Sequence, residues 1–155
     1  PTGAVPPGDF APGAARGTFV DTAAVLALIG RAHAAQAPLL CGLRAVQYRG
    51  DDSTGPRRGH IPTSLSLPYP DLLGPDGRLE SHSVCRALDA LGLGVEIAPV
   101  LYCGGGINAA GLALALALVG VSDTRIYDDS MNHWLADPAL PLVCGPMPGG
   151  GLPHD

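Results

Sequence analysis

The sequence predicts an α/β domain with a central, mainly parallel sheet flanked by helices, and three observations carry that prediction. Short apolar runs bounded by turn residues read as buried strands at Pro38–Gly42, Ser64–Leu67, Ala98–Tyr102 and Thr124–Tyr127. Helical patterns lie between them, and strands that alternate with helices build parallel sheets. Thirdly, the run ending at Tyr102 leads directly into Cys103-Gly104-Gly105-Gly106 and then an apolar helix pattern from Ile107 to Val119. A strand, a glycine turn and a helix in that order place ligand-facing groups at the carboxyl edge of such a sheet.

In chain order, residues 1–17 are rich in Pro, Gly and Ala without periodicity and read as a flexible arm or linker. A helix is expected over Thr22–Ala35, capped by Asp21 or Thr22. The strand Pro38–Gly42 follows, then the polar, Gly/Pro-marked loop Gly50–Gly59, then the strand Ser64–Leu67 ahead of Pro68. Another helix begins at Ser81 or Ser83 and runs to about Leu91, where Gly92 and Gly94 end it. After the glycine turn, its helix and the strand Thr124–Tyr127, Ser130 opens a short helix carrying Trp134. Residues 145–155 are again Pro/Gly-rich and read as a flexible tail, which leaves residues 18–144 as one domain. The chain opens Pro1-Thr2-Gly3 without Met, as a processed or excised product would.

With 155 residues, of which 46% are hydrophobic, the chain can bury a real core. The apolar stretch Gly111–Val119 is shorter than the ~20 residues a membrane span needs, so it is expected to be a helix buried on most sides, with Leu112, Leu114, Leu116 and Leu118 as packing. Net charge is −5 and the one basic pair is Arg57-Arg58, which argues against a nucleic-acid partner. No lysine is present, which removes Schiff-base chemistry and a phosphate-binding P-loop together. Four widely spaced cysteines and five scattered histidines show no metal spacing. Such cysteines read as reduced thiols of a cytoplasmic protein, with no metal or organic cofactor.

Cys103 is the candidate nucleophile. It stands at the predicted start of a helix, among glycines whose amides are open. Those amides and the helix dipole favour an anion, and so a thiolate. The glycine turn has three readings. Gly104-x-Gly106-x-x-Ala109 with Asp128 downstream matches a dinucleotide fingerprint locally, but too little chain follows to complete that sheet. A phosphatase-type loop needs an arginine six positions after the cysteine to grip phosphate, and position 109 is Ala. The third reading is persulfide chemistry.

Further stretches make that third reading specific. Arg58-Gly59-His60-Ile61-Pro62, Leu67-Pro68-Tyr69, Gly77-Arg78-Leu79 and Tyr48-Arg49-Gly50 resemble segments of the rhodanese family of sulfurtransferases. Tyr102-Cys103-Gly104-Gly105-Gly106-Ile107 is similar to the active-site loop of that family. Tyr127-Asp128-Asp129-Ser130, Trp134, Asp137-Pro138 and Leu140-Pro141 resemble its C-terminal signature. The match covers residues 18–144 and looks most like the catalytic, C-terminal half of a two-domain thiosulfate or 3-mercaptopyruvate sulfurtransferase.

The resemblance implies a sulfane sulfur passed from a small donor, 3-mercaptopyruvate or thiosulfate, to a thiol or cyanide acceptor through a persulfide on Cys103. It implies donor contacts from Gly104, Gly105, Gly106, Ile107, Asn108 and Ala109, with Arg49, Arg57 and Arg58 as sources of positive charge. It also implies supporting roles for His60, as a structural hydrogen-bonder, and for Asp128 and Ser130, as groups that shape and cap the last helix. The partners implied are the small donor and acceptor, a sulfur-carrier protein or a second rhodanese-like domain, and neither nucleic acid nor membrane.

The sequence also departs from the family pattern. Gly105 and Asn108 stand where mercaptopyruvate-type loops carry hydroxyls, and the loop lacks the basic residues that thiosulfate-preferring loops carry. The usual Asp-x-Arg pair is replaced by Cys41 and Leu43, with Arg44 one place further on. His133 stands at an often acidic position, and Asp129 replaces a usual glycine. Cys41 is either a core thiol or, facing Cys103, a thiol that resolves the persulfide as a disulfide. Cys85 and Cys144 read as inert, and Trp134 as core. The competing reading is a non-catalytic rhodanese-like module that binds a partner or senses oxidants.

Overall fold

The computed structural model describes residues 8–9, 11, 17–29, 36–53 and 55–150. Among these residues five strands form one sheet: β1 (Phe19–Val20), β2 (Leu39–Cys41), β3 (Leu65–Ser66), β4 (Val100–Tyr102) and β5 (Arg125–Tyr127). Their spatial order is β1-β5-β4-β2-β3 and every pairing is parallel. The α/β class and the parallel sheet are as expected. The central strands β2 and β4 are buried along their whole length, which is why they read as continuous apolar runs instead of alternating ones. Leu39, Leu40 and Cys41 lie opposite Val100, Leu101 and Tyr102.

Among the described residues, five α-helices flank the sheet: α1 (Thr22–Ile29), α2 (Ala45–Arg49), α3 (Ser81–Ala90), α4 (Ile107–Leu118) and α5 (Ser130–Ala136). Asp21 caps α1, its carboxylate accepting the amide of Ala24 at 2.9 Å. Residues 30–35 of the expected first helix lie outside the described residues, as do most of the expected arm and residues 151–155 of the expected tail.

The sequence pattern did not reveal β1, α2 or the 3-10 turn Tyr69–Leu72. α2 is five residues long with one buried side chain, Tyr48, so it shows no apolar stripe to read. It stops at Gly50, whose φ of 86° is a left-handed cap.

α4 corrects one expectation. Leu112 and Leu116 are buried, but Leu114 and Leu118 are 57% and 55% exposed. Residues two apart on a helix point about 200° apart, so a run of alternating leucines cannot all face the sheet. The buried pair lies one turn apart and seats α4 against the core. Gly111 admits the neighbouring 3-10 turn, because a Cβ there would come within 2.6 Å of the Tyr69 ring.

The segment from residue 145 to 150, part of the expected tail, is hydrogen-bonded to the domain. The amide of Gly145 donates to the carbonyl of Arg49 at 2.9 Å, and that of Thr63 to the carbonyl of Pro148 at 2.7 Å. Among the described residues no helix is long and apolar enough to cross a membrane.

Candidate active site

Because every strand is parallel, the chain leaves β2, β4 and β5 at one edge of the sheet. That edge gathers Gly42–Arg44 after β2, the Cys103 loop after β4, and Asp128–Ser130 after β5. Cys103 is the first residue beyond β4 and is 2% exposed. Gly106 precedes α4 with φ 87°, a left-handed conformation that side chains resist, and a Cβ there would lie 2.8 Å from Asp128 Oδ1. Glycine at 106 therefore lets the loop curl into the helix beside a carboxylate.

The loop is fixed from the α5 side. The Cys103 amide donates to Ser130 Oγ at 3.2 Å, and Ser130 donates to the Tyr127 carbonyl at 2.7 Å. The carbonyls of Cys103 and Gly104 accept from the amides of Met131 and Asn132 at 3.0 and 2.8 Å. With those carbonyls turned towards α5, the next amides are left over. Among the described residues, none of the amides from Gly104 through Ala109 donates to a protein acceptor. Open donors at the start of a helix that carries no side-chain cap form a site for an anion.

Beneath the loop runs a buried polar chain. Tyr102 Oη accepts the Ile61 amide at 3.2 Å and lies 2.7 Å from Ser64 Oγ. The Tyr48 hydroxyl donates to the Ser64 carbonyl, and His60 Nδ1 lies 2.7 Å from the Tyr48 carbonyl, its ring stacked on Tyr48 at 3.7 Å. Burial pushes the His60 imidazole below its usual range, against the pull of carbonyls from Tyr48, Met147 and Pro148. Its Nε2 is buried without a hydrogen-bond partner, so the neutral ring fits the site. Burial also raises the Tyr102 hydroxyl well above its usual range, with Cys41 adding to the effect.

Cys41 is fully buried at the end of β2, opposite Tyr102. Burial pushes its thiol up to about 12; hydrogen bonds from Tyr102 and Leu43 pull it back and the nearby Cys103 adds repulsion. At neutral pH it stays protonated, which is the chemistry of a core thiol.

A cleft opens beside the loop. Its lining combines apolar Leu43, Met131 and Leu135 and the glycines Gly59 and Gly104 with polar Gln47, Asp52 and Ser53. Arg49 and Arg58 are absent from this lining. Arg49 Nε is 2.8 Å from Asp51 Oδ2, and Arg58 donates to the Asp51 carbonyl at 3.3 Å. Arg57 instead holds the C-terminal segment, donating to the carbonyls of Asp137 and Leu140 at 2.8 and 2.9 Å. Arg44, exposed, sits 3.5 Å from Asp52. Asp128 and Ser130 are beside the loop as expected, but neither side chain caps α5, whose start carries no side-chain cap. The Ser130 hydroxyl serves the Cys103 amide instead. Trp134 is core, donating to the Pro141 carbonyl at 2.7 Å and edge-on to Tyr127.

The sequence pattern missed Gln47, Met131 and Leu135 as lining residues. Met131 and Leu135 lie four apart on α5, a spacing that marks a shared face, but only the fold shows that this face meets the loop.

A parallel sheet that presents a buried cysteine beside open amides at a helix start defines an α/β domain with room for an anion at that edge. No family model matches the chain. It is 32% identical over 142 residues to a "Probable 3-mercaptopyruvate sulfurtransferase" of Pseudomonas aeruginosa, covering 90% of this chain and 49% of the relative. Over 92 residues it is 35% identical to the 3-mercaptopyruvate sulfurtransferase of Escherichia coli, covering 57% of this chain and 31% of that protein. The chain thus spans about half the length of the Pseudomonas relative or less of the others.

Among solved structures, the Tum1 protein of Saccharomyces cerevisiae superposes with a TM-score of 0.71 at 23% identity, over 83% of this chain and 46% of that one. The anaerobic ergothioneine biosynthesis enzyme of Chlorobium limicola gives 0.73 at 18% identity, over 84% and 32%. At these identities the structures establish the fold. The chain belongs to the rhodanese family, with 3-mercaptopyruvate and thiosulfate sulfurtransferases as its relatives.

Proposed function

We propose that this chain is a sulfurtransferase domain of the 3-mercaptopyruvate/thiosulfate type that carries a sulfane sulfur as a persulfide on Cys103. The observation that carries the reading is the run of open amides from Gly104 through Ala109 around the end of β4. Such donors stabilise charge on the Cys103 sulfur and on the outer persulfide sulfur, as an oxyanion hole does for oxygen. In the first half-reaction the Cys103 thiolate attacks the terminal sulfur of thiosulfate or the thiol sulfur of 3-mercaptopyruvate, and sulfite or the enolate of pyruvate leaves with the bonding pair. In the second, a thiolate or cyanide attacks the outer sulfur and Cys103 departs as thiolate. Both halves balance without an outside oxidant.

Gly104, Gly105, Gly106, Ile107, Asn108 and Ala109 supply the cradle. Ser130 holds its shape through the Cys103 amide, and Asp128 stands beside Gly106. Free thiols at all four cysteines suit a reducing compartment such as the cytoplasm. A sulfur-carrier protein or a second rhodanese-like domain is the macromolecular partner that this chemistry fits.

The test is thiocyanate formation from cyanide with thiosulfate or 3-mercaptopyruvate as donor. The wild-type domain is expected to turn over and Cys103→Ser to be silent. Equal rates in both would overturn the proposal.

A further inference from the structure

Resting on the persulfide reading, the cleft beside Gly104 narrows the class of donor. Its lining includes Leu43, Met131 and Leu135, and Leu43 Cδ2 would lie 3.9 Å from a Cβ placed on Gly104. Among the described residues the lining contains no arginine, and its one ionic group is the carboxylate of Asp52, paired with the exposed Arg44 at 3.5 Å. The other nearby guanidiniums are turned to protein acceptors: Arg49 to the Asp51 carboxylate, Arg58 to the Asp51 carbonyl, and Arg57 to carbonyls of the C-terminal segment. A dianion entering here would leave water for apolar side chains and the Asp52 carboxylate, and among the described residues the groups that would offset its charge are the loop amides and the exposed Arg44.

We propose that Leu43 and Asp52 are specificity-determining residues that select a singly charged sulfur donor with an apolar body over the dianion thiosulfate. The class is an organic thiosulfonate or a donor of equivalent shape. The step balances. The Cys103 thiolate bonds to the terminal sulfur of R–SO2–S⁻, the bond between that sulfur and the sulfonyl sulfur breaks, and the sulfinate R–SO2⁻ leaves with the electron pair. Two negative charges stand on each side, and no other oxidant or reductant takes part.

The probes are benzenethiosulfonate and thiosulfate, which share the reacting S–S bond and differ in a phenyl group against a charged oxygen. The readout is the rate of sulfur gain on Cys103 by intact mass, divided by each donor's rate with free cysteine in solution. That division removes the difference in intrinsic reactivity.

The expected result is a normalised rate for benzenethiosulfonate about tenfold or more above that for thiosulfate, the scale of one uncompensated charge in a partly solvated site. Leu43→Arg is expected to reverse the preference. If Leu43→Arg fails to fold, Asp52→Asn at its half-exposed position tests the same point by raising the thiosulfate rate relative to benzenethiosulfonate. Thiosulfate equal to or faster than benzenethiosulfonate in the wild type, or a ratio that Asp52→Asn leaves unmoved, would overturn the assignment while leaving persulfide chemistry intact. No sulfur gained from either donor by folded protein would overturn the persulfide reading itself.

Discussion

The Ser130 hydroxyl accepts the amide of Cys103 at 3.2 Å while donating to the Tyr127 carbonyl at 2.7 Å. Ser130 holds a φ of 49°, a left-handed conformation uncommon outside glycine. One residue thus aims the cysteine's own amide away from the loop and ties β4, β5 and α5 together. Ser130→Ala leaves a buried amide without an acceptor, and a loss of about 1–3 kcal/mol is expected. Urea denaturation measures it. A change near zero would show that the hydroxyl does not hold the loop.

Gly106 faces a double constraint, φ 87° and Asp128 Oδ1 at 2.8 Å from any added Cβ. Gly106→Ala is expected to cost about 1–2 kcal/mol from backbone conformation alone, and more from the contact with Asp128. Adding Asp128→Ala to it should recover the contact part and leave the backbone part. Denaturation of the single and double variants separates the two. An alanine variant as stable as wild type would contradict the geometry.

The leucines of α4 give a sharp contrast. Leu112 is fully buried, and Leu112→Ala is expected to destabilise by about 2–5 kcal/mol. Leu114 is 57% exposed, and Leu114→Ala is expected to stay within about 0.5 kcal/mol of wild type. Similar losses at both positions would mean that a partner covers the outer face of α4.

His60 gives the fold a pH dependence. Burial lowers its folded-state value, so the unfolded chain binds the proton more readily. The stabilisation is therefore complete above the ordinary histidine value of about 6.5 and is lost as pH falls from there towards the folded value. Stability is expected to fall as the pH drops below about 6.5, and His60→Asn is expected to flatten that part of the profile. A profile unchanged by the substitution would remove His60 from the account.

The cysteine loop was legible in the sequence because its geometry is local: strand, turn and helix are consecutive residues, and the glycines mark where the chain must curl. The buried strands were legible for the same reason, as Leu39–Cys41 and Val100–Tyr102 are apolar throughout. The cleft was not. It joins Leu43, Gln47 and Asp52 to Met131 and Leu135, and only the parallel pairing of β2, β4 and β5 brings those segments to one edge. Arg49 and Arg58 were natural candidates for anion contacts by type. Their commitment to Asp51 depends on the path of the chain after Gly50, which no periodicity records.

The most direct test of the central claim is intact mass after incubation with 3-mercaptopyruvate, thiosulfate or benzenethiosulfonate, comparing wild type with Cys103→Ser. The account predicts a gain of one sulfur on the wild-type chain, lost on treatment with cyanide, and no gain on Cys103→Ser. A sulfur acquired equally by the serine variant, or by neither folded protein from any donor, would contradict it.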